Sequence, residues 1–372
     1  MDITETDVVV IGAGIAGSTA AAQIAADHRV VLVEAEEVAG YHTTGRSAAI
    51  WIHNYGTDAV RLLTGLSRAF FETPPEGFAD VPLMSHRPVW FIASSDERDE
   101  LKQMLAEGVN LRKGDPEAMR RMVPAIKPGS VVGVAVEDEA FDMDAAALHQ
   151  GFLRTLRRRG GTLRLRARAG RIERRNGQWE VEVTGGDVVR APVLVNAAGA
   201  WGDEVATMAG VHPLGLQPKR RTAAVINPAP WNVADWPMVH DIDHGWYARP
   251  EPGNRLMVSP CDETDMEPCD VQPDELDVAI CIDRMQQTLN IEVKRVERSW
   301  AGLRTFTPDR DFAFGFDPVA DGFFWNVGQG GYGIQTAPAA GQLVADLVAG
   351  RDPGEAAPVV ARVDPGRFSA AG

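Results

Sequence analysis

VVVIGAGIAGSTAAAQIAADHRVVLVEAEE, residues 8–37, decides the fold. Val8, Val9, Val10 and Ile11 form a continuous apolar run of the kind that a strand buried on both faces requires, and Val30 to Val33 repeat it. The alanine-rich stretch from Ile15 to Ala26 predicts a helix between them. Gly12, Gly14 and Gly17 occupy the G-x-G-x-x-G positions of a βαβ start. The first permits the tight turn, the second lets backbone approach a pyrophosphate, and the third lets helix and strand pack closely. Ile15 and Ala16 open the helix, whose N-terminus faces the anion. Glu34, 22 residues beyond Gly12, stands where a carboxylate accepts hydrogen bonds from a ribose diol, and no Lys or Arg lies at Val33 to Ala35 to meet a 2′-phosphate. Residues 8–26 carry no charge, which would also suit a signal or transmembrane helix. Three glycines, the polar Ser18, Thr19 and Gln23, and acidic residues ahead of the run argue against that.

The whole chain has 372 residues, 45% hydrophobic and 24% charged, enough for two or three domains of ordinary globular composition. A net charge of -15 repels nucleic acid and anionic lipid, and the short Arg157-Arg158-Arg159 run reads as the solvated end of a helix. Cys261, Cys269 and Cys281 are odd in number and lack a C-x-x-C, so neither a disulfide framework nor a metal site is expected, and a reducing, cytoplasmic setting fits best. The Pro-, Ala- and Gly-rich tail after Gly350 reads as loosely ordered.

Further strand, glycine-turn and helix patterns recur at residues 193–206 (VLVNAAGAWGDEVA) and 323–349, where Gly328, Gly330, Gly331 and Gly333 free backbone amides for a ligand. Helices are expected at 57–71, 96–108, 143–159 and 273–289. Strands are expected at 88–94, 131–136, 162–168, 170–175 and 178–184, with most of 214–302 extended. The nucleotide-type segments are thus dispersed, and the cofactor domain is expected to be discontinuous: residues 1–80, 145–213 and 303–372, with 81–144 and 214–302 forming a strand-rich substrate domain.

GAGIAG with Glu34, HTTGRSAA (42–49, with the Thr43–Ala48 loop), VNAAGAW and GQGGYGIQT together resemble, in order and spacing, the D-amino acid oxidase and glycine oxidase superfamily of FAD enzymes. Blocks similar to ALHQGFLR, LGLQPKRR, WAGLRTF and GGYGIQT also resemble its bacterial D-arginine dehydrogenases. The resemblance implies an α/β (α+β) two-domain fold, a Rossmann-like FAD-binding domain of the glutathione reductase type with a strand-rich substrate domain, and non-covalent FAD. It implies that Gly12, Gly14, Gly17, Glu34 and Ala35 hold the ADP half. Thr43, Thr44, Gly45, Arg46, Ser47 and Ala48 would bind pyrophosphate and flavin, and Gly170 would lie by the adenine. Ala198, Gly199, Trp201 and Gly302 would line the dinucleotide. The amides of Gly330, Gly331, Tyr332, Gly333, Ile334, Gln335 and Thr336 would face the pyrimidine end of the flavin.

For the substrate, the resemblance implies that Arg304 pairs an α-carboxylate, with Tyr55 and Tyr247 as hydroxyl partners. Arg221 corresponds either to a further pocket arginine or to a surface member of the Lys219-Arg220-Arg221 run. Gly331 and Tyr332 would stand beside the substrate as well as the flavin. Two departures stand out: Val89 replaces a glutamate that takes a guanidinium in D-arginine dehydrogenases, and Ile50 replaces a loop histidine. Both make the side-chain pocket less polar, so neutral or apolar D-amino acids are expected. His240 is either structural or a reader of a polar or acidic side chain. Met257 falls where sarcosine oxidase-like relatives carry an oxygen-activating lysine, which implies a dehydrogenase passing electrons to a quinone or similar acceptor. The expected partners are therefore a small amino acid and that acceptor, with neither nucleic acid nor a transmembrane segment. A secondary amine of opine or sarcosine type, a 2-hydroxy acid, or an idle FAD-binding regulatory protein are the competing readings.

Overall fold

The computed structural model describes residues 2–368. At its centre Val8–Ile11 lies fully buried between Val30–Val33 and Val193–Asn196, all three parallel. Thr162–Arg164 and Phe323–Val327 extend the parallel set on either side, and Ala313–Phe316 closes it antiparallel as the sixth strand. Burial on both faces explains the unbroken Val, Ile, Leu and Phe runs in these strands. One face is covered by the helices Ile15–Ile24 and Gly333–Ala349. These two approach so closely that a Cβ on Gly341 would lie 2.8 Å from that of Thr19. Helix Ala145–Arg158, capped by the Asp144 side chain at Ala147 N, packs beside them and buries His149, whose Nε2 lies 2.9 Å from both Ser18 Oγ and Ala13 O. The other face carries a four-stranded sheet of Ile3–Glu5, Val188–Ala191, Gln178–Val183 and Ala169–Arg175. Its last two strands join at Asn176 and Gly177, both with positive φ, as the Asn-Gly pair predicts.

A nine-stranded, mostly antiparallel sheet is built from strands within 89–137 and 217–306. Its long members, Gln217–Ile226 and Val296–Phe306, pair along their length with Arg221 opposite Gly302 and Lys219 opposite Arg304. Because alternate residues share a face, Arg221 and Arg304 project to the same side. The helix Glu275–Thr288 backs the opposite side, where Val278, Cys281 and Met285 are buried.

The chain after Gly350 departs from the loosely ordered tail expected of its composition. Gly354–Val359 and Val360–Val363 are helical turns, Arg362 pairs with the buried Asp311 at 2.8 Å, and Arg367 pairs with Asp309 at 2.7 Å. Residues 369–372 of that tail lie outside the described residues. The short helix Pro116–Met122, capped by Asp115, was not foreseen, because seven residues carry too little periodicity to register. Among the described residues no helix is long and apolar enough to cross a membrane.

Candidate active site

Where the parallel strands end, the glycine turn, the loop 40–48, the turn 197–201 and the strand end 302–305 enclose a long cleft, partly open to solvent. Gly12 has φ +100, and a Cβ there would lie 2.5 Å from Ala197 O. A Cβ on Gly17 would overlap Gly12 O at 1.9 Å. The first glycine therefore makes the turn and the third makes the packing, while Gly14, Ile15 and Ala16 face the cleft. Thr44 Oγ1 accepts from Ile15 N at 2.9 Å, so a loop hydroxyl occupies one first-turn donor of the helix. Glu34 accepts from Ala13 N at 2.7 Å and Glu36 N at 3.0 Å, which fixes its carboxylate at the cleft wall beside Ala35. An acidic group at the strand end, a glycine turn and an open cleft continuing past Thr43, Ser47 and Ala48 fit an extended dinucleotide.

Other residues take different places from those the resemblance implies. Gly45 packs under Gly40, whose carbonyl would be 2.7 Å from a Cβ, and is not on the cleft. Ala167 to Ala169 line the wall, and Gly170, next along the strand Ala169–Arg175, is exposed with nothing within 4 Å of where a Cβ would stand. Arg46 does line the cleft, and its guanidinium is held by Val271 O and Ala301 O, both at 3.1 Å, and by Asp270, tying its loop to the nine-stranded sheet. Gly199 and Ala198 line the cleft, as does Trp201, whose ring lies 4.6 Å from that of His42. Gly302, Gly330, Gly331, Gly333 and Ile334 line it as well. The amides of Gly330, Tyr332 and Thr336 are already donated to Thr305 O, Gln329 O and Tyr332 O, so the open donors among the described residues are Gly331 and the first helical turn, Gly333 to Gln335. The Gln335 side chain points away, donating to Ile52 O and Thr64 Oγ1.

The substrate-side groups meet at one end of the cleft. Arg304, Arg221 and Tyr247 line it, and Arg304 Nη1 donates to Tyr55 OH at 2.7 Å. That bond is the one side-chain partner found for the Arg304 fork among the described residues. A Cβ on Gly331 would lie 2.9 Å from Arg304 Cζ, so the guanidinium rests against bare backbone. Burial works against the Arg304 cation, but the oxygens of Tyr55 and Tyr247 around it outweigh this and hold its proton more tightly than usual. Tyr55 stands edge-on to Tyr332, their centroids 4.9 Å apart. Arg221 is not a free surface arginine: its Nε donates to Asp262 O at 2.9 Å, and Glu263 lies 3.3 Å away. Burial raises the Tyr247 pKa, so the phenol keeps its proton.

Val89, Met257 and Tyr247 are buried in one apolar cluster with Ile52 and Phe91, with Ile50 and Tyr55 packed against it; of this group only Tyr247 lines the cleft itself. His240 stacks on Tyr247 at 5.6 Å, and its Nδ1 lies 2.7 Å from Asp241 O, a carbonyl that can only accept. The proton is therefore on Nδ1. Burial, followed by the neighbouring His244, pushes the His240 pKa down to about 3, so the imidazole is neutral with an accepting Nε2. It does not offer a positive charge to an acidic side chain, which of the two readings of His240 favours the structural one. Glu36, His42 and Arg168 of the cleft wall went unremarked in the sequence, since nothing in their local pattern separates them from surface polar residues.

With this geometry in view, the comparisons with known proteins are direct. The DAO family of FAD dependent oxidoreductases matches residues 7–347, and the chain belongs to that family. It is an FAD-dependent oxidoreductase with FAD as its cofactor. Glycine oxidase of Bacillus subtilis (strain 168) is 23% identical over 362 residues, covering 93% of this chain and 94% of that one. FAD-dependent oxidoreductase domain-containing protein 1 of Xenopus laevis is 27% identical over 176 residues, but the match spans only 43% of this chain and 35% of that protein. Among solved structures, L-proline dehydrogenase from P. horikoshii superposes with a TM-score of 0.83 at 21% identity, covering 98% of both chains.

Proposed function

We propose that this chain oxidises the α-carbon–nitrogen bond of a D-amino acid to the imino acid, which water then converts to the 2-oxo acid and ammonia. The observation that carries the reading is Arg304: a planar cation lining the FAD cleft, met by one phenol and, among the described residues, by no carboxylate. A guanidinium fork with its second edge free matches a carboxylate by two parallel hydrogen bonds. Tyr55 fixes the fork, and Tyr247, still protonated, adds a donor. Bound FAD supplies the two-electron acceptor for the hydride leaving the α-carbon. The protein's part is orientation, which needs no charged base if the amine arrives neutral. The relatives named glycine oxidase and L-proline dehydrogenase support an amino acid substrate, one achiral and the other an L-configured secondary amine, so the D configuration rests on the resemblance of the sequence blocks alone.

Val89 and Met257 lie in the buried apolar cluster that packs with Tyr247, and neutral His240 adds no charge, which favours neutral or apolar side chains over arginine. Met257, fully buried in that cluster, offers no cation to a developing superoxide, in keeping with a dehydrogenase that passes electrons to a quinone-like acceptor. The deciding experiment is anaerobic bleaching of the flavin absorbance with paired D- and L-amino acids, sarcosine and 2-hydroxy acids. Bleaching by neutral D-enantiomers is the expected outcome; bleaching only by secondary amines or hydroxy acids overturns the amino acid reading. Stoichiometric peroxide release in air overturns the dehydrogenase assignment.

A further inference from the structure

Strand Gly133–Glu137 runs antiparallel to Val89–Ala93 with Glu137 directly opposite Val89. The pocket face that carries Val89 in place of a glutamate thus has a carboxylate on the next strand. Glu137 is 2% exposed, and both its oxygens are taken: Oε1 accepts from His53 N at 2.6 Å and Oε2 from Asn54 Nδ2 at 2.9 Å. Asn54 is pinned again at residue 109, where its Oδ1 accepts from Val109 N at 2.7 Å and its Nδ2 donates to Val109 O at 2.8 Å. The next residue is Tyr55. Gly56, with φ +96, follows it, and a Cβ there would lie 2.7 Å from Val60 Cγ1 and 3.1 Å from Tyr332 Cε1. The segment 53–56 is therefore a short turn held from below by one buried carboxylate and delivering one phenol to Arg304.

We propose that Glu137 is a positioning residue for the carboxylate site, acting through the 53–54 backbone and amide to set the Tyr55 hydroxyl against Arg304. A buried carboxylate is costly unless its lone pairs are occupied, and here its acceptors are occupied only by the turn that carries Tyr55. The turn and the carboxylate hold each other. Burial raises the Glu137 pKa, while the Asn54 and His53 donors oppose that, as expected of a group whose hydrogen bonds are structural. The role rests on the reading of Arg304 and Tyr55 as the carboxylate site.

The test is a double-mutant cycle on the FAD-loaded enzyme, read by the dissociation constant of propionate, an unreactive carboxylate, from the flavin absorbance change. Glu137→Ala is expected to weaken propionate about 10-fold, as losing two hydrogen bonds at a buried acceptor implies. Glu137→Gln keeps the acceptor for His53 N but turns an amide toward Asn54, and should weaken it about three-fold, with KM rising more than kcat falls. In a Tyr55→Phe background the further effect of Glu137→Ala should shrink below about two-fold. An equal factor in both backgrounds, or a lowered melting temperature with unchanged propionate binding, overturns the proposal. If Glu137→Ala does not fold, the glutamine variant and its Tyr55→Phe combination carry the same test. Propionate binding that ignores Arg304→Met refutes the underlying site, a result distinct from additivity at Glu137.

Discussion

Arg304 and Tyr55, 249 residues apart in sequence, meet at 2.7 Å in the wall of the FAD cleft. One comes from strand Val296–Phe306 and the other from a turn held by Glu137 of strand Gly133–Glu137, so their meeting depends on how the nine-stranded sheet brings these two strands together. Replacing Arg304 by Met should lower kcat/KM for the best substrate by about 100-fold or more, since a charge-assisted fork is lost. Arg304→Lys should recover only part of that, because an ammonium cannot make two parallel bonds. Tyr55→Phe should cost about 10-fold. Steady-state kinetics at fixed FAD occupancy check all three.

Gly331→Ala tests the same site from its other side. The added methyl would lie 2.9 Å from Arg304 Cζ, and the guanidinium must move to make room. KM should rise at least about 10-fold while flavin content stays full. A variant with unchanged KM would show that the fork is not held where the carboxylate binds.

Gly12→Ala should abolish flavin binding and lower stability by about 2 kcal/mol or more, because a side chain at φ +100 also runs into Ala197 O. Gly170→Ala, with nothing within 4 Å, should retain full FAD content. Flavin-to-protein absorbance ratios and thermal melts of the two variants decide this.

Asp241 supplies a pH dependence whose sign follows from linkage. Burial, followed by the nearby Glu97, raises its pKa to about 6 from 3.8. The folded state therefore binds the proton more tightly than the unfolded chain, so this group's contribution is fully present below pH 3.8 and is lost as pH rises through about 6. Asp241→Asn keeps an oxygen to accept from Gly245 N. The variant should be more stable than the parent above pH 6 by about 1 kcal/mol, a figure reduced for partial solvation, and equal to it below pH 4. Denaturant melts at pH 4, 6 and 8 measure the difference.

The first βαβ unit was legible because turn chemistry and periodicity are local: Gly12, Gly17 and Glu34 fix a turn, a close contact and an acid by their spacing alone. The four further helices and the Asn176-Gly177 hairpin were legible for the same reason. Residues that act across the sheets were not. Ala167 to Ala169, just before Gly170, line the cleft, which no local pattern shows. His240 looked able to read an acid until the carbonyl of Asp241 fixed its tautomer and burial removed its charge. Glu137 gave no signal at all, since its meaning lies in facing Val89 across a ladder and His53 across a fold.

Strand Val296–Phe306 begins exposed at the rim of the large sheet and ends buried, with Gly302 to Thr305 in the cofactor cleft. A single extended segment is thus shared by the two halves of the molecule. Anyone recombining this chain with a relative to change its substrate cannot cut at the apparent domain edge near residue 303, because the crossover would separate Arg304, the arginine proposed to take the carboxylate, from the strand that sets its register with Lys219. The smallest exchangeable block on this side is the whole pair, Gln217–Ile226 together with Val296–Phe306.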